Sequence, residues 1–147
     1  MQYFVLLGKN GKITKSLKKG LSKNSNKVIS ISWKFICKLI SNHKLFEKYI
    51  LREFNITKNP DEFIIINCLK ENTSEQKIKD IHLKLLAIFE GFTNKVQYIF
   101  LSTYEANKFP YTKYRKIKNT LEKILIKKGV FIIRIGFYLD YSDLNII

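Results

Sequence analysis

Cysteine, proline, arginine and acidic residues are all scarce in this chain, and each scarcity removes a class of protein. Cys37 and Cys68 are the only two cysteines in 147 residues. With no secretory segment ahead of them they make no disulfide framework and read as reduced, buried thiols. His43 and His82 lie far from both, at spacings that suit no ligand set, so a metal site is not expected. Two prolines and six glycines leave no linker, repeat or low-complexity segment to divide the chain. No run approaches the roughly 18 apolar residues of a membrane span, and the apolar start is too short for a signal peptide. The chain reads as soluble and cytoplasmic, with no membrane partner.

Acidic residues number 12 against 27 Lys plus Arg, for a formal net charge of +15. Such an excess suits an anionic partner. Yet only Arg52, Arg115 and Arg134 are arginines, whereas bidentate recognition of phosphates and bases favours that residue. The lysines are dispersed from Lys9 to Lys128, as on a solvated face. Nucleic acid is therefore the lesser reading, and a small anionic ligand such as a dinucleotide or nucleotide-sugar is equally compatible with the charge.

Strand and helix patterns alternate along the whole sequence. Residues 2–7 form an apolar run stopped by Gly8, and Ile13, Leu17 and Leu21 then mark one stripe of a helix over 12–23. A β-branched strand over 28–32 precedes helical spacing at Phe35, Ile36, Leu39 and Ile40, and 44–58 combines helix and loop signals. Pro60 breaks the chain before an uninterrupted apolar strand at 63–68, of the kind buried on both faces of a parallel sheet. Ser74 reads as the N-cap of a helix to Glu90 ended by Gly91. A strand at 96–101, a loop around Pro110, a helix at 113–128 with Gly129 beyond it, and a strand at 130–135 follow. The pattern predicts an α/β fold: a doubly wound, mainly parallel sheet of about five strands with helices on both faces. The length suits one domain over 1–147, with no separate substrate domain.

The first strand-to-helix turn, Gly8-Lys9-Asn10-Gly11-Lys12-Ile13-Thr14, sits where dinucleotide-binding folds place their phosphate loop. Gly8 permits a tight turn, and Gly11 lets backbone amides approach a pyrophosphate at the positive end of the helix. Thr14 stands where a third glycine is usual. The second strand ends in Ser32-Trp33-Lys34, with no acid for ribose hydroxyls; the cation at Lys34 suits a 2′-phosphate, so NADP is preferred over NAD. The competing view of Lys34 is the start of a solvated helix.

Tyr114, Lys118 and Glu122 recur at i, i+4 and i+8 along one helix face. They follow a strand ending in Ser102-Thr103. Tyr114 suits a general acid or base for carbonyl–alcohol interconversion, its phenol lowered from about 10 by the ammonium of Lys118. Thr103, at the carboxyl end of its strand, suits polarising the same oxygen. Chance alone supplies about one Tyr-x-x-x-Lys pair at this composition, and Tyr104-x-x-x-Lys108 is a second match. Lys118 and Glu122 also allow a plain surface ion pair. Position favours Tyr114, which opens a helix after a strand and a short loop.

The order of these segments resembles the short-chain dehydrogenase/reductase superfamily, in particular its extended, nucleotide-sugar epimerase and dehydratase branch. The resemblance is carried by Val5-Leu6-Leu7-Gly8 with Gly11, by Ile64-Ile65-Ile66-Asn67-Cys68, by Ile99-Phe100-Leu101-Ser102-Thr103, by Tyr114 with Lys118, and by Ile132-Ile133-Arg134-Ile135-Gly136. It implies a Rossmann-like NAD(P)-binding domain. Gly8, Asn10, Gly11, Lys12, Ile13, Lys34, Asn67 and Cys68 would lie on the cofactor, and Thr103, Tyr114 and Lys118 would be the catalytic set. Lys118 would also hold the nicotinamide ribose. Thr14, the lysines of the phosphate loop and His82, where that branch usually has Asn, depart from the pattern. Family members also continue for roughly another hundred residues or more, which supply the wall of the sugar pocket. The resemblance implies a nucleotide-sugar oxidoreductase or epimerase, completed by a homodimer partner or another subunit. The alternatives are a non-catalytic descendant that binds a nucleotide or a protein and, below it, a basic nucleic-acid-binding protein.

Overall fold

The computed structural model describes residues 1–57, 60–69, 74–103 and 113–135. Strands and helices alternate: β1 (Tyr3–Leu7), α1 (Lys12–Ser22), β2 (Lys27–Ile31), α2 (Trp33–Leu39), α3 (His43–Glu53), β3 (Glu62–Asn67), α4 (Glu75–Glu90), β4 (Lys95–Thr103), α5 (Lys113–Lys127) and β5 (Phe131–Ile135). The strands form one parallel five-stranded sheet in the order β2-β1-β3-β4-β5, the doubly wound α/β arrangement that the alternation implies. The expected loop around Pro110, the second Tyr104/Lys108 match and Gly136 lie outside the described residues. Contacts divide the chain into two compact units, Met1–Ile99 and Phe100–Ile147, with the boundary inside β4.

In the first unit, β1 lies between β2 and β3, with Val5 opposite Ile29 on one side and Ile65 on the other. Its continuous apolar sequence follows from that position, because a central strand has both faces covered. Val5, Leu6 and Leu7 are fully buried, as are Phe63 and Ile65 of β3. The chain steps from β1 out to β2, then returns across β1 to β3. Right-handed connections place α1 on one face of the sheet and α2 to α4 on the other. The edge-on packing of Phe46 of α3 against Phe89 of α4, centroids 5.7 Å apart, fits that placement.

Local chemistry sets the helix ends. Over most of the 44–58 stretch runs α3, which Asn42 caps by accepting from the Leu45 amide at 3.2 Å, and Phe46 and Ile50 on one face are fully buried. Ser74 caps α4 as expected, accepting from the Lys77 amide. Gly91 stands at the carboxyl end of α4, where its sequence position suggests a left-handed cap. Its φ of −83° is right-handed, so no left-handed conformation calls for glycine there. Instead, a Cβ would sit 3.3 Å from the ring of His43. The turn that follows is held by Glu47 of α3, whose buried carboxylate accepts from the amides of Thr93 and Asn94 at 2.8 and 3.1 Å.

The cysteines correct one expectation: both are free, but Cys37 is exposed and Cys68 only half-buried. On α2 the inward positions are Ile36 and Leu39, and Cys37, a single residue on from Ile36, turns away from them.

In the second unit, α5 buries Ile117, Leu121 and Leu125. It ends in a paired carboxyl-terminal motif: the Val130 amide donates to Leu125 O at 3.1 Å and the Gly129 amide to Ile126 O at 3.0 Å. Gly129 takes φ +76° to make it. β5, last in the sheet order, leaves Phe131 and Ile133 exposed.

Gly8 and Gly129 both have positive φ, but a Cβ at Gly8 would lie 3.1 Å from Cys68 O whereas one at Gly129 meets nothing within 4 Å. Gly8→Ala is expected to cost about 3 kcal/mol and Gly129→Ala about 1 kcal/mol, the difference being the clash with fixed backbone. Urea unfolding of the two variants checks this ordering.

Candidate functional site

In open α/β sheets, ligands bind outside the carboxyl ends of the strands, where the strand order reverses. Here that point lies between β1 and β3. Gly8 leaves β1 with φ +110° and donates its amide to Ile31 O of β2 at 2.8 Å. The Cys68 amide, leaving β3, donates to Leu7 O at 2.9 Å. These two bonds draw the exits of three adjacent strands together, with Gly8, Asn67 and Cys68 at them.

From Gly8 the chain turns directly into α1. Gly11 is its N-cap residue and gives it no side-chain hydrogen bond, and the first turn holds no acidic residue. The positive end of α1 therefore faces the strand exits without a capping oxygen of its own. Lys12 is exposed and Ile13 half-buried in that first turn, while Thr14 is 1% exposed. Lys34 stands exposed in the first turn of α2, just beyond β2. Asn10 is exposed in the turn between β1 and α1.

The Asn67 side chain turns inward. Its amide nitrogen lies 2.6 Å from the Tyr98 hydroxyl and 3.1 Å from His82 Nδ1, and its oxygen accepts from the Leu69 amide at 3.0 Å. Asn67 and His82 are fully buried and Tyr98 nearly so. The three side chains join β3, α4 and β4 and fix the turn by which β3 ends. Sequence reasoning missed Tyr98 altogether. The available signal for His82 was its helical phase with Ile78 and Leu85, which puts a polar ring on the core face of α4.

In the second unit Lys118 and Glu122 are not a surface pair. They are 2% and 1% exposed. Lys118 Nζ donates to Leu101 O at 3.2 Å and lies 4.5 Å from the centre of the Phe100 ring. Glu122 receives a forked contact from Arg134 of β5, at 2.8 to 3.1 Å. Hydrogen bonding to Glu122, then its charge, holds the Arg134 guanidinium above its already high value. Ser102 Oγ is buried without a hydrogen-bond partner among the described residues. Thr103 is the last residue of β4 and Tyr114 the second of α5, one turn before Lys118; their side chains lie outside the description.

Among the described residues, no group of His, Cys, Asp and Glu could hold a metal ion, and no helix is long and apolar enough to cross a membrane. Tyr98→Phe is expected to cost about 1–2 kcal/mol, because it leaves a buried Asn67 N–H without its acceptor. Arg134→Ala is expected to cost about 2–3 kcal/mol, since Glu122 stays buried without its guanidinium. Denaturant titration of each variant measures both losses.

No protein-family model matches the sequence, and no curated protein matches it. Solved structures do. The UDP-rhamnose synthase of Acanthamoeba polyphaga mimivirus matches 92% of the chain at a TM-score of 0.56 and 13% identity, over 56% of its own length. The capsular polysaccharide assembling protein CapF of Staphylococcus aureus matches 97% at 0.57 and 14% identity, over 40% of its length. A dTDP-4-dehydrorhamnose reductase of Clostridium acetobutylicum matches 97% at 0.51 and 18% identity, over 57% of its length. The chain thus spans about half the length of the solved structures it matches. At these identities the likeness is one of fold, and the chain has the doubly wound fold that these three structures present over their matched parts.

Proposed function

We propose that the chain binds NAD or NADP, with NADP preferred, and serves an oxidoreductase or epimerase that acts on a nucleotide-linked sugar. The observation that carries this reading is the uncapped amino end of α1, delivered by Gly8 to the reversal point of the sheet with no acidic residue in its first turn. That donor set fits a pyrophosphate. The solved structures of like fold include a UDP-rhamnose synthase and a dTDP-4-dehydrorhamnose reductase, which supports the substrate class.

In this reading Gly8, Asn10, Gly11, Lys12 and Ile13 hold the diphosphate, and Asn67 and Cys68 form the strand end beside it. The inward engagement of the Asn67 side chain gives it a positioning role, leaving backbone at the ligand. Lys34, exposed beyond β2, receives a 2′-phosphate. The bound nicotinamide supplies hydride chemistry. On the second unit, Tyr114 gives or takes a proton at the substrate oxygen and Thr103 donates a hydrogen bond to that oxygen. Lys118, anchored on Leu101 O, is placed one helical turn beyond Tyr114 and is the third member of the catalytic set. A second copy or another chain completing the sugar pocket belongs to the same proposal.

Ligand at 100 times its dissociation constant adds about 2.7 kcal/mol, which for a domain of this size raises Tm by about 5–10 °C. NADPH is expected to give that shift and NADH a smaller one; silence toward both, and toward UDP- and dTDP-sugars, contradicts the nucleotide reading. Tyr114→Phe is expected to lower turnover by at least about a hundredfold while the NADPH shift persists. Unchanged turnover removes Tyr114 from the chemistry, and a wild-type chain that binds NADPH yet turns over no nucleotide-sugar is a binding module.

A further inference from the structure

Thr14 occupies the third residue of α1, where the phosphate loops of dinucleotide folds usually have a glycine so that helix and strand can pack closely. A threonine there is not on the surface. It is 1% exposed, the one fully buried residue of α1, and its Oγ1 has no hydrogen-bond partner among the described residues. A buried hydroxyl without a partner is costly, and helical threonines commonly avoid the cost by bonding back to a carbonyl one turn earlier. Thr14 makes no such bond. Its Oγ1 instead points back toward the N-cap, 3.5 Å from where a Cβ on Gly11 would stand, so it shares the space that Gly11 leaves open beside Gly8 O.

We infer that Thr14 Oγ1 is a ligand donor: its hydroxyl hydrogen bonds to a phosphate oxygen of a bound nucleoside diphosphate at the amino end of α1. This rests on the nucleotide reading above and adds to it a residue that the glycine pattern leaves out. Two observations converge on the same small volume: helix amides with no capping side chain, and a buried hydroxyl with no acceptor. A phosphate oxygen satisfies both at once, and a hydrogen bond to an ionised acceptor is among the stronger ones. Gly11 has a matching consequence. A side chain there would enter the gap between the hydroxyl and the Gly8 carbonyl and compete with the phosphate for it.

Calorimetric titration of the full chain with NADPH, ADP and adenosine tests the assignment, with wild type, Thr14→Ser and Thr14→Val compared. Loss of a hydrogen bond to a charged acceptor corresponds to roughly tenfold or more in Kd. Thr14→Val is expected to weaken NADPH and ADP by at least that factor and to leave adenosine, which has no phosphate, unchanged. Thr14→Ser is expected to bind all three within about twofold of wild type, since it keeps the hydroxyl. If wild type binds NADPH and Thr14→Val binds it equally well, the hydroxyl is not a ligand and the inference fails while the nucleotide reading stands. If wild type binds none of the three, the nucleotide reading itself fails. Should Thr14→Val not fold, the pair Thr14→Ser and Thr14→Ala decides in the same way, equal affinity overturning the assignment.

Discussion

The exit of β1 passes so close to the carbonyl of Cys68 that a Cβ at position 8 would stand 3.1 Å from it, tight enough to make that backbone give way. That approach is a constraint on the whole carboxyl edge of the first unit. It exists because β1 is central, bonded to β2 and β3 in register up to Leu7, so its chain must leave between two neighbours that are also ending. The positive φ of Gly8 then turns the backbone at once into α1, and the helix begins within a few residues of the strand. A side chain at position 8 would push α1 away from the strand exits and with it the amides that face them.

Polar groups buried beside this edge are held by one another. Asn67 uses its nitrogen toward Tyr98 and His82 and its oxygen toward the Leu69 amide. The first bond crosses to β4, the second to α4, and the third ties the turn after β3 to the residue that ends it. In a low-dielectric interior such a cluster fixes geometry, because each lost partner leaves a group that water cannot reach. Thr14 lies near the same edge with no partner of its own among the described residues. The contrast between a satisfied cluster and a lone buried hydroxyl separates scaffold from candidate ligand contact.

Much of the fold was legible because it rests on local signals. Apolar or β-branched runs marked all five strands, and Ser74 marked the start of α4 through its own hydroxyl. The glycines were located correctly, but their reasons differ: contacts distant in sequence single out Gly8, against the backbone of Cys68, and Gly91, against the ring of His43, whereas Gly129 answers only to its left-handed φ. Glu47 illustrates what no local pattern shows. A carboxylate on α3 that receives two amides from the turn after α4 looks, in the sequence, like any other helical acid. Glu122 is similar: the helix face shared with Lys118 was legible, whereas burial of that face and the forked contact from Arg134 depend on packing in the second unit. The turn from β1 into α1 was legible because a turn is local; Tyr98 was missed because its role is to meet Asn67 across the sheet.

The central claim is that the turn from β1 into α1 receives the phosphates of a dinucleotide. Amide chemical-shift mapping by ¹H–¹⁵N NMR during titration with NADPH tests it most directly, because the proposed donors are backbone groups. The account predicts that the largest shifts fall on the amides of residues 8–14, with a second set at Cys68 and Leu69. Shifts scattered over the exposed lysines with the Gly8 to Thr14 turn unmoved would contradict it and would return the charge of the chain to a general attraction for anions.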